Sequence, residues 1–164
     1  MGVTIAQATS AVDKMLKGNE YKFSYDQEKN RFQITFNLRK TKLSSCRIYI
    51  HIEEQVRDPN LCKCIISYGY ASISADSDCM AAIAEYLTRA NYGLQIGNFE
   101  LDHSDGEIRY KVACRVMESL PNNDALEDLI DMPVAMFNRY GNGLLAVSMG
   151  MVSAADAIKQ AEGE

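Results

Sequence analysis

The stretch RFQITFNLRK at 31–40 alternates without a break: Phe32, Ile34, Phe36 and Leu38 are apolar, and Arg31, Gln33, Thr35, Asn37 and Arg39 are polar. SSCRIYIHIEE at 44–54 repeats the pattern, with Cys46, Ile48, Ile50 and Ile52 set against Arg47, Tyr49, His51 and Glu53. A side-chain period of two belongs to a strand, and clean alternation belongs to a strand with one face in a core and the other in water. Two such strands in succession predict an antiparallel sheet with one covered face. A shorter strand in YKFSYD precedes them, joined by the polar turn QEKN. After a turn at Asp58-Pro59-Asn60, LCKCIISYGYASI reads as a fourth strand, with Cys62, Cys64, Ile66, Tyr68 and Tyr70 on one face.

Helical spacing flanks this block. Ile5, Ala8, Val12, Met15 and Leu16 recur on one side of an N-terminal helix, with Thr4 placed to cap its start and Gly18 to take the left-handed position past its end. Met80, Ile83, Ala84 and Leu87 line a middle helix, capped by Asp76 and closed at Gly93. Leu126, Leu129, Ile130, Val134 and Phe137 begin a long C-terminal segment whose spacing continues through Leu144, Val147 and Met151. Pro133, which has no amide to donate, predicts a kink there, and Gly141 and Gly143 predict a weakening. Ser153-Ala-Ala-Asp156 predicts the start of a short last helix.

Between the last two blocks lies NYGLQIGNFELDHSDGEIRYKV. A phosphate-cradling loop requires a strand, then clustered glycines, then a helix; here the glycines follow a helix and precede strands. A two-residue turn at Asp105-Gly106 predicts a hairpin in which Phe99 faces Val112, Leu101 faces Tyr110 and His103 faces Ile108. On the opposite face that register sets Glu100 against Lys111 and Asp102 against Arg109.

The helix ending LTRANYG, the hairpin GNFELDHSDGEIRYKV and the later MFNRYGNGLLAV together resemble the YbjN-type family, whose fold is that of type III secretion chaperones. The matching positions are Asn91, Gly97, Phe99, Leu101, Asp102, Asp105-Gly106 and Tyr110; the first half of the chain matches only in pattern. The resemblance implies a compact α+β fold, residues 1–164 as one YbjN-like domain, pairing into a homodimer, and binding of other proteins without catalysis. It carries over no catalytic residues. The expected architecture is a twisted antiparallel sheet of five to six strands with an N-terminal helix, a middle helix and a long C-terminal helical segment.

Charge separates the partner classes. The net charge of −5 argues against nucleic acid, but it is divided: residues 1–71 carry 11 Lys+Arg against 7 Asp+Glu, net +4, and residues 72–164 carry 6 against 15, net −9. The basic run Arg39-Lys40-Thr41-Lys42, with outward Arg31, Arg47, Tyr49 and His51 nearby, is the one basic, partly aromatic patch that suits a phosphate backbone or stacked single-stranded bases, and a solvated loop is the simpler account. No apolar run reaches the length of a membrane span, and no secretion signal begins the chain, so a cytoplasmic protein with no membrane partner is expected. Five cysteines match no zinc spacing, so neither a metal nor another cofactor is expected, and Cys62, Cys64 and Cys114 read as small core residues.

His103 and Asp102 point to opposite sides of a strand and cannot converge as an acid–base pair. The function that the resemblance implies is a non-enzymatic protein-binding module, chaperone-like or a regulatory adaptor. A pocket between the sheet and the C-terminal helix, serving a small molecule or catalysis, is the rival. The interaction surface is expected to use Arg47, Tyr49 and His51 on the wet face of the sheet, with Met149 and Met151, since Met side chains adapt to varied apolar partners.

Overall fold

A computed structural model describes residues 2–163. The elements run α1 (Ile5–Gly18), β1 (Phe23–Asp26), β2 (Arg31–Asn37), β3 (Ser45–Glu54), β4 (Cys62–Ser74), α2 (Met80–Tyr92), β5 (Asn98–Leu101), β6 (Glu107–Arg115), α3 (Asn123–Ser148) and α4 (Ala154–Glu162). The fold is α+β. All six strands form one antiparallel sheet in the order β1-β2-β3-β4-β6-β5. Apolar side chains from one face of every strand join those of the helices in a continuous core: Phe32 and Ile34, Ile48, Ile50 and Ile52, Ile65, Ile108, Tyr110 and Val112, with Leu16, Ile83, Leu129 and Phe137 from above.

α1 starts where the sequence places it. Thr4 accepts from the Gln7 amide, and the Gln7 side chain returns to the Thr4 backbone, a reciprocal capping box. Its end differs: Gly18 is the last helical residue, and the left-handed conformation falls on Glu20 (φ 57°). Gly93, likewise, keeps a negative φ of −97° at the end of α2. Asp76 does not cap α2; the helix begins at Met80, and Asp76 contributes only its carbonyl, which accepts from the Cys79 amide (3.1 Å).

α3 is continuous from Asn123 to Ser148, with Pro133 inside it. Its position over the sheet is set by Gly69 of β4: a Cβ there would stand 2.6 Å from Cβ of Pro133 and 3.1 Å from Sγ of Cys46. The centre of the layer between sheet and α3 is thus filled by direct contact. Gly141 and Gly143 serve the same end. A Cβ at 141 would meet Oγ1 of Thr41 at 2.5 Å, and one at 143 would meet the Tyr86 hydroxyl at 2.3 Å. Two Asn side chains of α3 hold the basic β2–β3 loop down, Asn138 accepting from the Lys40 amide (3.0 Å) and Asn142 from the Lys42 amide (2.8 Å).

The hairpin forms, but its register is two residues from the expected one. Phe99 faces Tyr110, Glu100 faces Arg109 and Leu101 faces Ile108. A shift of two keeps every side chain on its expected face. The turn is longer because Asp102 and Asp105 act as local caps. Asp102 accepts from the amide and hydroxyl of Ser104 (2.8 and 2.6 Å), and Asp105 from the Glu107 amide (2.9 Å). Gly106 alone takes a positive φ (75°), whereas a two-residue turn of the expected type requires it at Asp105 too. The shifted register sets Phe99 edge-on to Tyr110, Phe137 and Tyr140 at centroid distances of 4.8, 5.6 and 5.7 Å.

Candidate functional site

Because the apolar phase of each strand faces the helices, the other phase forms an open face. Three cross-strand rows traverse it. Thr35, Arg47, Tyr70 and Arg109 make the first, Gln33, Tyr49, Tyr68 and Lys111 the second, and Arg31, His51, Ile66 and Ala113 the third. Tyr49, His51, Ile66, Tyr68 and Tyr70 are half-buried, although no helix covers them; they are shielded by one another.

The rings interlock along diagonals. Tyr49 stands edge-on to Tyr70 (5.6 Å between centroids), and His51 edge-on to Tyr68 (5.7 Å). Guanidinium groups lie over the two central tyrosines, Arg31 4.4 Å from the Tyr49 centroid and Arg109 4.3 Å from that of Tyr68. Glu100 fixes Arg109 by accepting from its Nε (2.7 Å) and also pairs with Lys111. Partial burial works to raise the Glu100 carboxyl, but the hydrogen bonds from Lys111 and Arg109 outweigh it and hold the group below the usual carboxylate range. Burial among the rings pushes the His51 imidazole below its ordinary value, and the positive charges of Arg31 and Arg109 add to that against the opposing pull of Glu53.

Beside the rings the face sinks into a depression of about 750 Å³, bordered by Arg31, Arg47, Tyr49, Tyr70, Asp105 and Glu107. Arg47 is exposed and has no ion pair among the described residues. The result is a layer of interlocked planar side chains with guanidiniums spread across it and carboxylates on its β5–β6 side, where Arg109 meets Glu100 and Glu107. Such a layer can bury a partner's apolar groups with little loss of side-chain freedom, and Tyr and Arg concentrate at binding surfaces.

The structure brings Arg47, Tyr49 and His51 together here. It does not add Met149 and Met151, which stand 71% and 74% exposed in the turn between α3 and α4, on the helical side. Tyr68 and Tyr70 complete the site against expectation. A bulge at Lys63 sets Glu53 against Cys64 and Glu54 against Cys62, so Cys62 points inward while Cys64, Ile66, Tyr68 and Tyr70 point out. Cys64 is therefore not a core residue, whereas Cys62 is, its thiol pushed up to about 11 by burial. Cys114 faces α3 and donates to the Ala125 carbonyl (3.2 Å).

The sheet edges offer less. On β5, the Asn91 side chain accepts from the Phe99 amide (2.7 Å) and donates to its carbonyl (2.9 Å), taking the place a partner strand would occupy. A depression of about 890 Å³ beside α1 and β2 is organised around Asn30, whose side chain accepts from the Tyr25 hydroxyl (2.6 Å) and donates to the Ile52 carbonyl (3.1 Å). Its central amide is thereby satisfied within the fold, and Asp13 on its rim is paired with Lys17.

All five cysteines are free. Among the described residues no group of three or more His, Cys, Asp or Glu is placed to hold a metal ion, and no helix is long and apolar enough to cross a membrane. Comparison with protein-family models and with curated proteins finds no match.

Proposed function

We propose that this chain is a YbjN-like, non-enzymatic protein-binding module of chaperone-like or regulatory character, and that it binds through the open face of the sheet. The observation that carries the reading is the interlocked set Tyr49, His51, Tyr68 and Tyr70 with Arg31 and Arg109 laid over it. A polar strand face exposed only to water needs no such layer, and a fixed aromatic surface lowers the ordering cost of association. The guanidiniums already cover the two central rings, which disfavours stacked bases and favours a protein surface. The sequence likeness in the hairpin and the order of elements support the family reading. Five unpaired thiols suit a reducing, cytoplasmic setting. Self-association into a homodimer belongs to the same proposal and is tested by light scattering.

Affinity purification from native lysate with the wild type and with Arg47→Glu/Tyr49→Ala tests the surface. Proteins recovered by the first and lost by the second support the proposal. Equal recovery, or recovery of a small metabolite in place of protein, rejects it.

A further inference from the structure

A second surface lies beyond the far end of β4. Val56, in the β3–β4 loop, is 94% exposed, and Met117, just past β6, is 59% exposed. They form the apolar walls of a groove of about 490 Å³ whose rim carries Arg57, Lys63 and Arg115, with Glu118 as its one acid. None of the three cations has an ion pair among the described residues, in contrast to Arg109 and Lys111, which share Glu100.

Both walls are fixed. The Gln55 amide donates to the Leu61 carbonyl (2.9 Å), the Gln55 side chain to the Cys62 carbonyl (3.1 Å), and the Val116 amide to the Lys63 carbonyl (3.0 Å). Val56 is thus held out in water from an anchored loop, where it does nothing for the core. Exposed apolar groups on a fixed frame, with three unpaired cations against one acid on the rim, match a ligand of net negative charge with an apolar anchor.

We infer that this groove docks an acidic, amphipathic segment of a partner protein, its apolar side chain against Val56 and Met117 and its carboxylates on Arg57, Lys63 and Arg115. The inference shares with the preceding reading the expectation of a protein partner, but not its surface. The groove adjoins the edge of the open face, Arg115 standing two residues from Ala113. At about 3.3 Å per residue along β4, however, Lys63 lies roughly 17 Å from Tyr68, which faces Tyr49, so a substitution at Tyr49 leaves the groove intact.

The test is a random linear peptide display library panned on the full chain and counter-selected on Val56→Asp/Met117→Asp. Both positions are exposed, and an unchanged melting temperature checks that the variant folds. Enrichment of peptides with a bulky apolar residue flanked by Asp or Glu is expected. A synthetic copy of the leading peptide should bind about tenfold or more weakly, by fluorescence anisotropy, to Val56→Asp and to Arg57→Glu/Lys63→Glu, a loss of about 1.4 kcal/mol or more. Its binding to Tyr49→Ala should be unchanged, and its affinity should fall as salt rises. No acidic–apolar enrichment, or equal binding by the groove variants, overturns the inference. Loss of binding in Tyr49→Ala overturns it too and moves the peptide to the open face. Co-sedimentation with phosphatidylserine vesicles, or concentration-dependent self-association, that disappears in the groove variants overturns it in favour of a lipid surface or a second copy.

Discussion

The two faces of the sheet are built from the same strands, residue by residue in alternation, yet they are held together differently. The covered face is close-packed: Ile48, Ile50 and Ile65 are fully buried, and α3 comes down until Pro133 rests on Gly69. The open face has no second layer, so its side chains shield one another through ring edges and guanidinium stacking. The difference separates stability from function. Core packing penalises any change of volume, whereas a surface of interlocked planar groups contributes little to folding and leaves its outer side available to a partner.

Ile50 and Tyr49 are neighbours in the chain on opposite faces and give the sharpest contrast. Ile50→Ala should cost about 2–5 kcal/mol of unfolding free energy in urea titration; a loss no larger than that of Tyr49→Ala would break the comparison. Gly69→Ala adds a single methyl where no room exists, and should cost roughly 1–3 kcal/mol unless α3 shifts. Ser67 is the exception on the covered face, a fully buried hydroxyl without a hydrogen-bond partner. Removing that unpaired group in Ser67→Ala should raise stability by on the order of 1 kcal/mol, and a destabilised variant would mean that the hydroxyl is satisfied in solution. On the open face, Tyr49→Ala should lower stability by only about 0.5–1 kcal/mol, the scale of an exposed cation–π contact, while abolishing partner recovery.

The smallest effect is a pH dependence at His51. Its folded-state pKa lies below its unfolded value because the rings desolvate it. The unfolded chain therefore takes up this proton first. His51 imposes no penalty well above pH ~6.5, the unfolded imidazole value, and the penalty grows as the pH falls from there through the folded pKa. Wild type and His51→Gln should differ more in melting temperature at the acidic end of that window than at neutral pH. A His51 titration midpoint above the free-imidazole value, read by NMR, would show that the ring is not shielded as described.

Much of this architecture was legible locally. β2 and β3 each carry apolar residues in one phase only, so their faces could not be exchanged, and Arg47, Tyr49 and His51 were placed correctly on the wet side. The hairpin was legible in its faces but not in its register. Moving the strands by two preserves every inside–outside assignment, and the choice falls to Asp102 and Asp105 capping a longer loop and to Tyr110 meeting Phe99. Gly141 and Gly143 read as weak points of a helix; their use is clearance for Thr41 and Tyr86, partners far away in sequence.

The sequence by itself determined that helices flank, along the chain, an antiparallel sheet with one wet face, because strand alternation and helix capping depend on residues a few positions apart. Only the tertiary structure decided which phase of CIISYGY turns inward. Both phases carry an isoleucine: Ile66, Tyr68 and Tyr70 are the larger and more apolar set, Ile65, Ser67 and Gly69 the smaller. The bulge at Lys63 and the close approach of α3 bury the smaller set, since Pro133 leaves no room for a tyrosine at position 69. The tyrosines are thereby released to the open face, and the candidate site exists because of that exclusion.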